Sequence, residues 1–174
     1  MNKNSMVGYH GTTRENAEKI VSEQSFIDSD KENDWLGRGV YFFAYKWHAS
    51  WWVTHSRYRG KKVEILEAKL QYTDEQMLDL DDPEQLRILD DIVKYAVANA
   101  NSSNDPIRAD LKTKQEHWCF ACNLIKKLDL SIGIMVYTFQ DSGKRFEYEY
   151  SKFSGNQRQI CVSDHSIITD VKIV

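Results

Sequence analysis

The chain has 174 residues, 41% of them hydrophobic and 28% charged, with a formal net charge of −3. That length fits one domain, and 12% aromatic residues supply a core with rings left over for a binding surface. The charge gives no general attraction to nucleic acid or anionic lipid. Two prolines and eight glycines argue against a long disordered linker, and no apolar run approaches the ~20 residues that span a bilayer. The polar N-terminus lacks the apolar stretch of a secretory signal. Three cysteines are an odd, small number for a disulfide framework. These features lead us to expect a soluble, cytoplasmic protein.

Residues 6–12 read as a short strand. Thr12 or Thr13 then N-caps a helix that ends near Gln24 and carries Ala17, Ile20 and Val21 at helical spacing. Phe26-Ile27 is extended, residues 28–34 are a charged loop, and Trp35-Leu36 re-enters the core. Residues 40–44 form a buried strand, and 46–58 a helix with Trp47, Trp51 and Thr54 or Tyr58 on one stripe. The alternation over 62–71 predicts a strand, and 76–80 a short one. Asp82 caps a helix with Pro83 in its first position and Leu86, Leu89, Val93, Ala96 and Val97 on its buried face. After a polar connector over 99–105, a second long helix runs over 107–128 with Leu111, Trp118, Cys122 and Ile125 on one stripe. The last third reads as strands over 132–139, 145–150, 157–162 and 167–174, with a hairpin turn at Asp141-Ser142-Gly143. Mixed structure early, helices in the middle and strands at the end make the fold class α+β.

Two motifs carry the chemistry. Tyr9-His10-Gly11-Thr12 places an imidazole at a strand end beside a residue without a side chain, so a ligand can approach its peptide closely. A primary carboxamide needs one donor and one acceptor side by side, which one extended residue offers. A sugar hydroxyl suits a neutral imidazole nitrogen. The second motif, Gly37-Arg38-Gly39-Val40-Tyr41-Phe42-Phe43, supplies a flat wall. Stacking on Tyr41 contributes about 0.5–1.5 kcal/mol beyond burial, and Trp51 or Trp52 supplies the opposite wall.

The order Tyr9-His10-Gly11-Thr12, then Gly39-Val40-Tyr41-Phe42-Phe43, then Ala49 and Trp52, resembles the poly(ADP-ribose) polymerase-like, diphtheria-toxin-like group of ADP-ribosyltransferases over residues 6–60. The resemblance implies a single ADP-ribosyltransferase-like domain over 1–174, built on a split antiparallel β-sheet core with flanking helices. NAD would be the co-substrate, with no metal. His10 would hold a ribose hydroxyl, and Gly11 would bind the nicotinamide carboxamide through its backbone with Thr12 beside it. Tyr41 would pack near the nicotinamide, and Trp52 (or Trp51) would stack on it from the far side.

The family's third element is a glutamate on a late strand, which orients the nicotinamide ribose and stabilises an oxocarbenium-like transition state. Residues 156–162 hold no glutamate. Gln159 precedes the apolar Ile160-Cys161-Val162 as the family glutamate precedes its strand, with Gln157 as a rival on the same face. Glu147 and Glu149 offer carboxylates on the preceding strand. A glutamine still accepts a hydrogen bond but supplies no charge to a developing cation, a loss that typically costs about 2.7–4 kcal/mol. It is no general base either. Catalysis would fall to His10, Tyr41 and Gln159. The expected activity is mono-ADP-ribosyl transfer, with release of nicotinamide, to a protein or nucleic-acid acceptor. The alternative is a catalytically weak or inactive module that binds NAD or ADP-ribose. A related RNA 2′-phosphotransferase or a redox protein built on the cysteines are the remaining readings.

Trp118-Cys119-Phe120-Ala121-Cys122 echoes a thioredoxin-type motif but falls mid-helix, where core packing is the expectation. A zinc site on His117, Cys119 and Cys122 would lack a fourth ligand. The basic run over 57–62 reads as a solvated loop, with NAD phosphates, a nucleic-acid acceptor or an acidic partner as its functional alternatives.

Overall fold

In a computed structural model of the chain, residues 3–32, 34–58, 60–102, 111–140, 150 and 155–174 are described. Among the described residues seven strands form one sheet: β1 (Lys3–Thr13), β2 (Val40–Phe43), β3 (Val63–Thr73), β4 (Met77–Asp79), β5 (Ile134–Phe139), β6 (Gln157–Val162) and β7 (Ile168–Ile173). Their order is β4-β5-β6-β2-β1-β3-β7, and only the β4–β5 pair is parallel. Among the described residues four α-helices flank the sheet: α1 (Arg14–Glu23), α2 (Lys46–Trp52), α3 (Pro83–Ser102) and α4 (Lys114–Leu128). The architecture is α+β with a mostly antiparallel sheet. No helix among the described residues is long and apolar enough to cross a membrane.

Side-chain alternation divides the core between the two faces of the sheet. Val40, Phe42, Leu66, Leu70, Val136 and Ile160 point to the face that α1 covers with Ala17, Ile20 and Val21. On the other face α2 packs Ala49 against Phe43 and Ile65. Beside it α3 and α4 pack Leu89, Cys122 and Ile125 against Met135, Phe139 and Cys161. The second face is thus roofed by two separate helix groups, α2 over β2, β1 and β3 and the α3–α4 pair over β5 and β6.

Several expected boundaries shift for local reasons. Strand β1 begins at Lys3, because β3 is long enough to pair with it from Lys3↔Thr73 to Thr13↔Val63. Thr13, not Thr12, caps α1, accepting the Asn16 amide at 3.4 Å. The helix expected over 46–58 is α-helical only to Trp52 and passes into a π-helical turn, Val53–Arg57. Its buried residues are His48, Ala49 and Val53, while Trp47 is 54% exposed.

Helix α3 runs through to Ser102, into the expected connector, and its Leu86 and Val97 stay exposed. Helix α4 starts at Lys114, not 107, because Thr113 and Glu116 close a capping box there. Leu111 therefore precedes the helix. Of the expected strand over 145–150 only Tyr150 is described, exposed and in a turn; residues 145–149, the turn at 141–143 and the carboxylates of Glu147 and Glu149 lie outside the described residues.

Candidate functional site

The site begins where β1 and β2 part. Arg14 N–H donates to Lys62 O at 3.0 Å, extending the β1–β3 register. Hydrogen-bonded and non-hydrogen-bonded pairs alternate along an antiparallel ladder. Thr12 and His10 therefore bond to β3, whereas the peptide groups of Gly11 and Tyr9 turn toward β2. On β2, Ala44 N–H donates to Arg158 O at 3.0 Å. By the same alternation Phe42 and Val40 bond to β6, and Phe43 and Tyr41 turn toward β1.

Tyr9 and Phe43 meet, and theirs is the one β1–β2 pairing among the described residues. The next pair would be Gly11 with Tyr41, and it does not form. Instead the carbonyl of Tyr41 accepts from the His10 ring, Nδ1 to O 2.8 Å. The donor and acceptor of Gly11 are left side by side at the edge of the gap, without a strand partner.

That bond fixes the chemistry of His10. A carbonyl only accepts, so Nδ1 carries the proton and Nε2 is left as an acceptor. The ring lies edge-on to Phe26 (5.4 Å) and Phe42 (5.8 Å). Burial pulls its pKa below the ordinary histidine value, with the Tyr41 carbonyl opposing. His10 is therefore neutral at pH 7, with a lone pair on Nε2 that meets no described residue.

Gly11 is a glycine for a reason other than the one its motif suggests. A Cβ there would overlap Val53 Cγ1 and come 3.0 Å from Ala49 O. The missing side chain admits α2 and the π-helical turn against the strand. The open approach is along its peptide edge. This close packing carries Trp51 and Trp52 to the gap. Trp51 stacks on His55 at 4.9 Å with 6° between planes, and Trp52 meets Tyr58 edge-on at 5.8 Å.

A cleft of 870 Å³ opens here. It is lined by all six expected site residues: His10, Gly11, Thr12, Tyr41, Trp52 and Gln159. Trp51 and Gln157 line it too. His10 and Gln159 project from opposite faces of the sheet, since Tyr9 and Gln159 both pair with Phe43 and His10 follows Tyr9. They reach one cleft because the sheet is open between β1 and β2.

Thr12 is 3% exposed and accepts from Asn16 Nδ2 at 3.5 Å. Gln159 Nε2 donates to Gln157 Oε1 at 3.2 Å, so the two rivals form one amide pair. The Tyr41 hydroxyl is occupied, donating to Gly37 O at 2.6 Å and accepting from Leu36 N–H at 2.9 Å. Burial pushes its pKa far up, reinforced by the Cys161 thiol. Tyr41 thus offers the cleft a ring and no reactive hydroxyl.

Asn16 and Lys19, one helical turn apart on α1, also line the cleft, as do His55, Tyr58, Asp28 and Asp34. No local motif marks Asn16, Lys19 or His55. Asn16 and Lys19 read as ordinary surface positions of an amphipathic helix until α1 is placed beside β1. Asp28 is held by Arg38 Nε at 3.0 Å and by His165 Nε2 at 2.8 Å. In the basic run, Lys61 and Lys62 are exposed, Tyr58 lines the cleft, and the side chains of Arg57 and Arg59 lie outside the described residues.

The cysteines are core residues. All three are buried and free. Burial pushes Cys122 up to about 12 and raises Cys119 and Cys161. Such thiols stay protonated and are poor nucleophiles and poor ligands. Among the described residues no group of three His, Cys, Asp or Glu side chains is placed to hold a metal ion.

No family model matches the chain, and no solved structure matches it at a significant level. The chain is 29% identical over 110 residues to an uncharacterized protein of Methanocaldococcus jannaschii, a match that covers 61% of this chain and 51% of the archaeal protein. It therefore spans about half the length of the relative it matches.

Proposed function

We propose that the chain is a mono-ADP-ribosyltransferase of the poly(ADP-ribose) polymerase-like group, with the split sheet of that fold. It would cleave NAD at the nicotinamide bond and transfer ADP-ribose to a macromolecular acceptor. The observation that carries this reading is the unpaired peptide edge of Gly11 beside a neutral His10, where β1 and β2 separate. A carboxamide matches that edge, donating to the Gly11 carbonyl and accepting from its amide. The ring of Tyr41 and a tryptophan from α2 bound a flat slot beside it. A ribose hydroxyl matches the His10 Nε2 lone pair.

In the reaction the bond from ribose C1′ to the nicotinamide nitrogen breaks, and its electron pair leaves on nicotinamide. The acceptor's lone pair then forms the new bond at C1′, and any proton it carries passes to solvent. Holding NAD in place contributes orientation. The Gln159–Gln157 pair contributes amide dipoles and no charge, so the barrier lacks the stabilisation of about 2.7–4 kcal/mol that a single such contact supplies. An acceptor that is nucleophilic without deprotonation fits this arrangement.

That same amide pair favours a second reading, a module that binds NAD or ADP-ribose without turning it over. Labelled NAD, incubated with the protein and a lysate, separates the two through label transfer and free nicotinamide. Release of nicotinamide that His10→Ala abolishes is the expected result. Tight NAD binding without release would overturn the enzyme reading in favour of the module. Gln159→Glu should raise turnover. An unchanged rate would move the carboxylate position to Gln157 or Glu149.

A further inference from the structure

We infer that Lys126, which does not line the cleft, is a positioning residue for it: from behind the wall it holds residues 36–39 in one shape and, through Tyr41, fixes the face a ligand ring rests on. The part concerning the ligand rests on the nicotinamide reading above; the part concerning the wall does not.

Residues 36–39 belong to no strand or helix, yet each backbone donor and acceptor among them is bonded. Leu36 N–H donates to the Tyr41 hydroxyl (2.9 Å), Gly37 N–H to Asp34 O (2.9 Å), Arg38 N–H to Asn123 Oδ1 (2.7 Å) and Gly39 N–H to Ser29 O (3.0 Å). Among the carbonyls, Leu36 O and Arg38 O accept from Lys126 Nζ at 2.8 and 2.7 Å. Gly37 O accepts from the Tyr41 hydroxyl at 2.6 Å and Gly39 O from Ser29 N–H at 2.9 Å. Irregular segments usually leave several such groups to water.

Lys126 bridges two carbonyls two residues apart, which no neutral backbone donor does here. Its ammonium has three donors, and the third direction meets Cys161 Sγ at 3.4 Å. Among the described residues no carboxylate pairs with it, so its charge acts on the backbone. Such charge-assisted bonds are about twice as strong as neutral ones.

Lys126 shares a face of α4 with Asn123 and Cys119, at helical spacing. Asn123 Nδ2 donates to Cys119 Sγ at 3.4 Å, and that thiol lies 3.4 Å from Lys31 O. Gly37, at φ +73°, leaves no room between the segment and Asn123 for a side chain. Gly39 of the segment and its neighbours Asp34, Trp35 and Tyr41 line the cleft. Because the Tyr41 hydroxyl is bonded on both sides, its ring cannot swing away from the wall unless this segment moves. Preorganisation of this kind lowers the ordering cost of binding.

The test compares wild type with Lys126→Met, Lys126→Arg and Asn123→Ala in three measurements: amide hydrogen exchange, nicotinamide and NAD affinity by calorimetry, and kcat and KM for nicotinamide release. Lys126→Met should speed exchange at 36–39 by about tenfold or more while β5 and β6 keep their protection. It should weaken nicotinamide binding by about ten- to a hundredfold and raise KM more than it lowers kcat. Lys126→Arg, which still donates to two carbonyls, should recover most of both. Asn123→Ala, which frees the Arg38 amide and the Cys119 thiol but leaves both Lys126 bonds, should give a smaller effect of the same kind and serves if Lys126→Met fails to fold. Unchanged exchange would overturn the inference. Faster exchange with unchanged affinity would make Lys126 structural only. A wild type that binds neither nicotinamide nor NAD would sink the proposed function instead, and exchange alone would then decide whether Lys126 holds the wall.

Discussion

Replacing Gly11 by alanine sets a methyl carbon into space that Val53 Cγ1 and the Ala49 carbonyl already fill. Ordinary carbon contacts are about 3.5–4.0 Å, so α2 or β1 must retreat by on the order of 1 Å. Close-packed interiors resist such movement, and overpacking of this kind costs about 1–3 kcal/mol. For a chain of this size that corresponds to a fall in melting temperature of about 2–12 °C. The same retreat moves Trp51 and Trp52 away from the Gly11 peptide. A displacement of about 1 Å at a binding edge costs up to a hundredfold in productive binding.

The assay is a thermal melt by circular dichroism, paired with nicotinamide calorimetry. The double variant Gly11→Ala/Val53→Ala removes the overlapping methyl and should melt above Gly11→Ala alone. That coupling is expected of residues in direct contact. Melting of Gly11→Ala within about 1 °C of wild type, or a Val53→Ala cost that simply adds, would refute the packing account of this glycine.

His10 predicts a pH dependence. Its folded pKa lies below the unfolded value of about 6.5, so the neutral form is the one the fold favours. The stability it contributes is fully present above about 6.5 and is lost as pH falls from there through the folded pKa. A series of melts across pH should show a loss below about 6.5 that shrinks in His10→Gln. Nicotinamide-ribose affinity should stay flat down to the same region. Tyr41→Phe removes the bridge between Leu36 N–H and Gly37 O and leaves buried groups unsatisfied, at a cost of about 1–3 kcal/mol. Chemical denaturation should register that loss, and any weakening of ring binding should track loosening of 36–39 in hydrogen exchange. The cysteines, 5%, 3% and 0% exposed, should react with a thiol reagent only as fast as the protein unfolds. Rapid labelling of any of the three in the native state would contradict their placement.

Much of the fold could be read locally. All seven strands among the described residues were expected within a few residues of where they lie, because alternation over 62–71 and the apolar runs at 40–44 and 160–162 encode burial directly. The turn into π-helix at Val53 was not legible. It depends on how α2 meets β1, and no residue between 53 and 57 signals it. Thr113 and Glu116 do spell a capping box, but the apolar spacing upstream masked it and moved the expected helix start to 107. Trp47 illustrates the same limit. Its spacing suits a buried stripe, yet the position of α2 across the sheet gives that face to His48, Ala49 and Val53.

The residues expected to form a site are marked in the sequence and line one cleft; their arrangement was not legible. His10, Gly11, Thr12, Tyr41, Trp52 and Gln159 are marked by residue type and short spacing. Those are local properties, and a strand end, a glycine or a ring announces itself in a few positions. The tertiary structure decided three other things: that Gly11 is bare for the sake of α2, that Tyr41 gives its hydroxyl to the chain and only its ring to the cleft, and that Gln157 and Gln159 act as one pair. It also brought in Lys126 from residues far along the chain. The physical reason is common to all of them. Strand pairing and helix packing set which peptide groups find partners, and the unpaired edge at Gly11 follows from a β1–β2 ladder that stops at Tyr9↔Phe43.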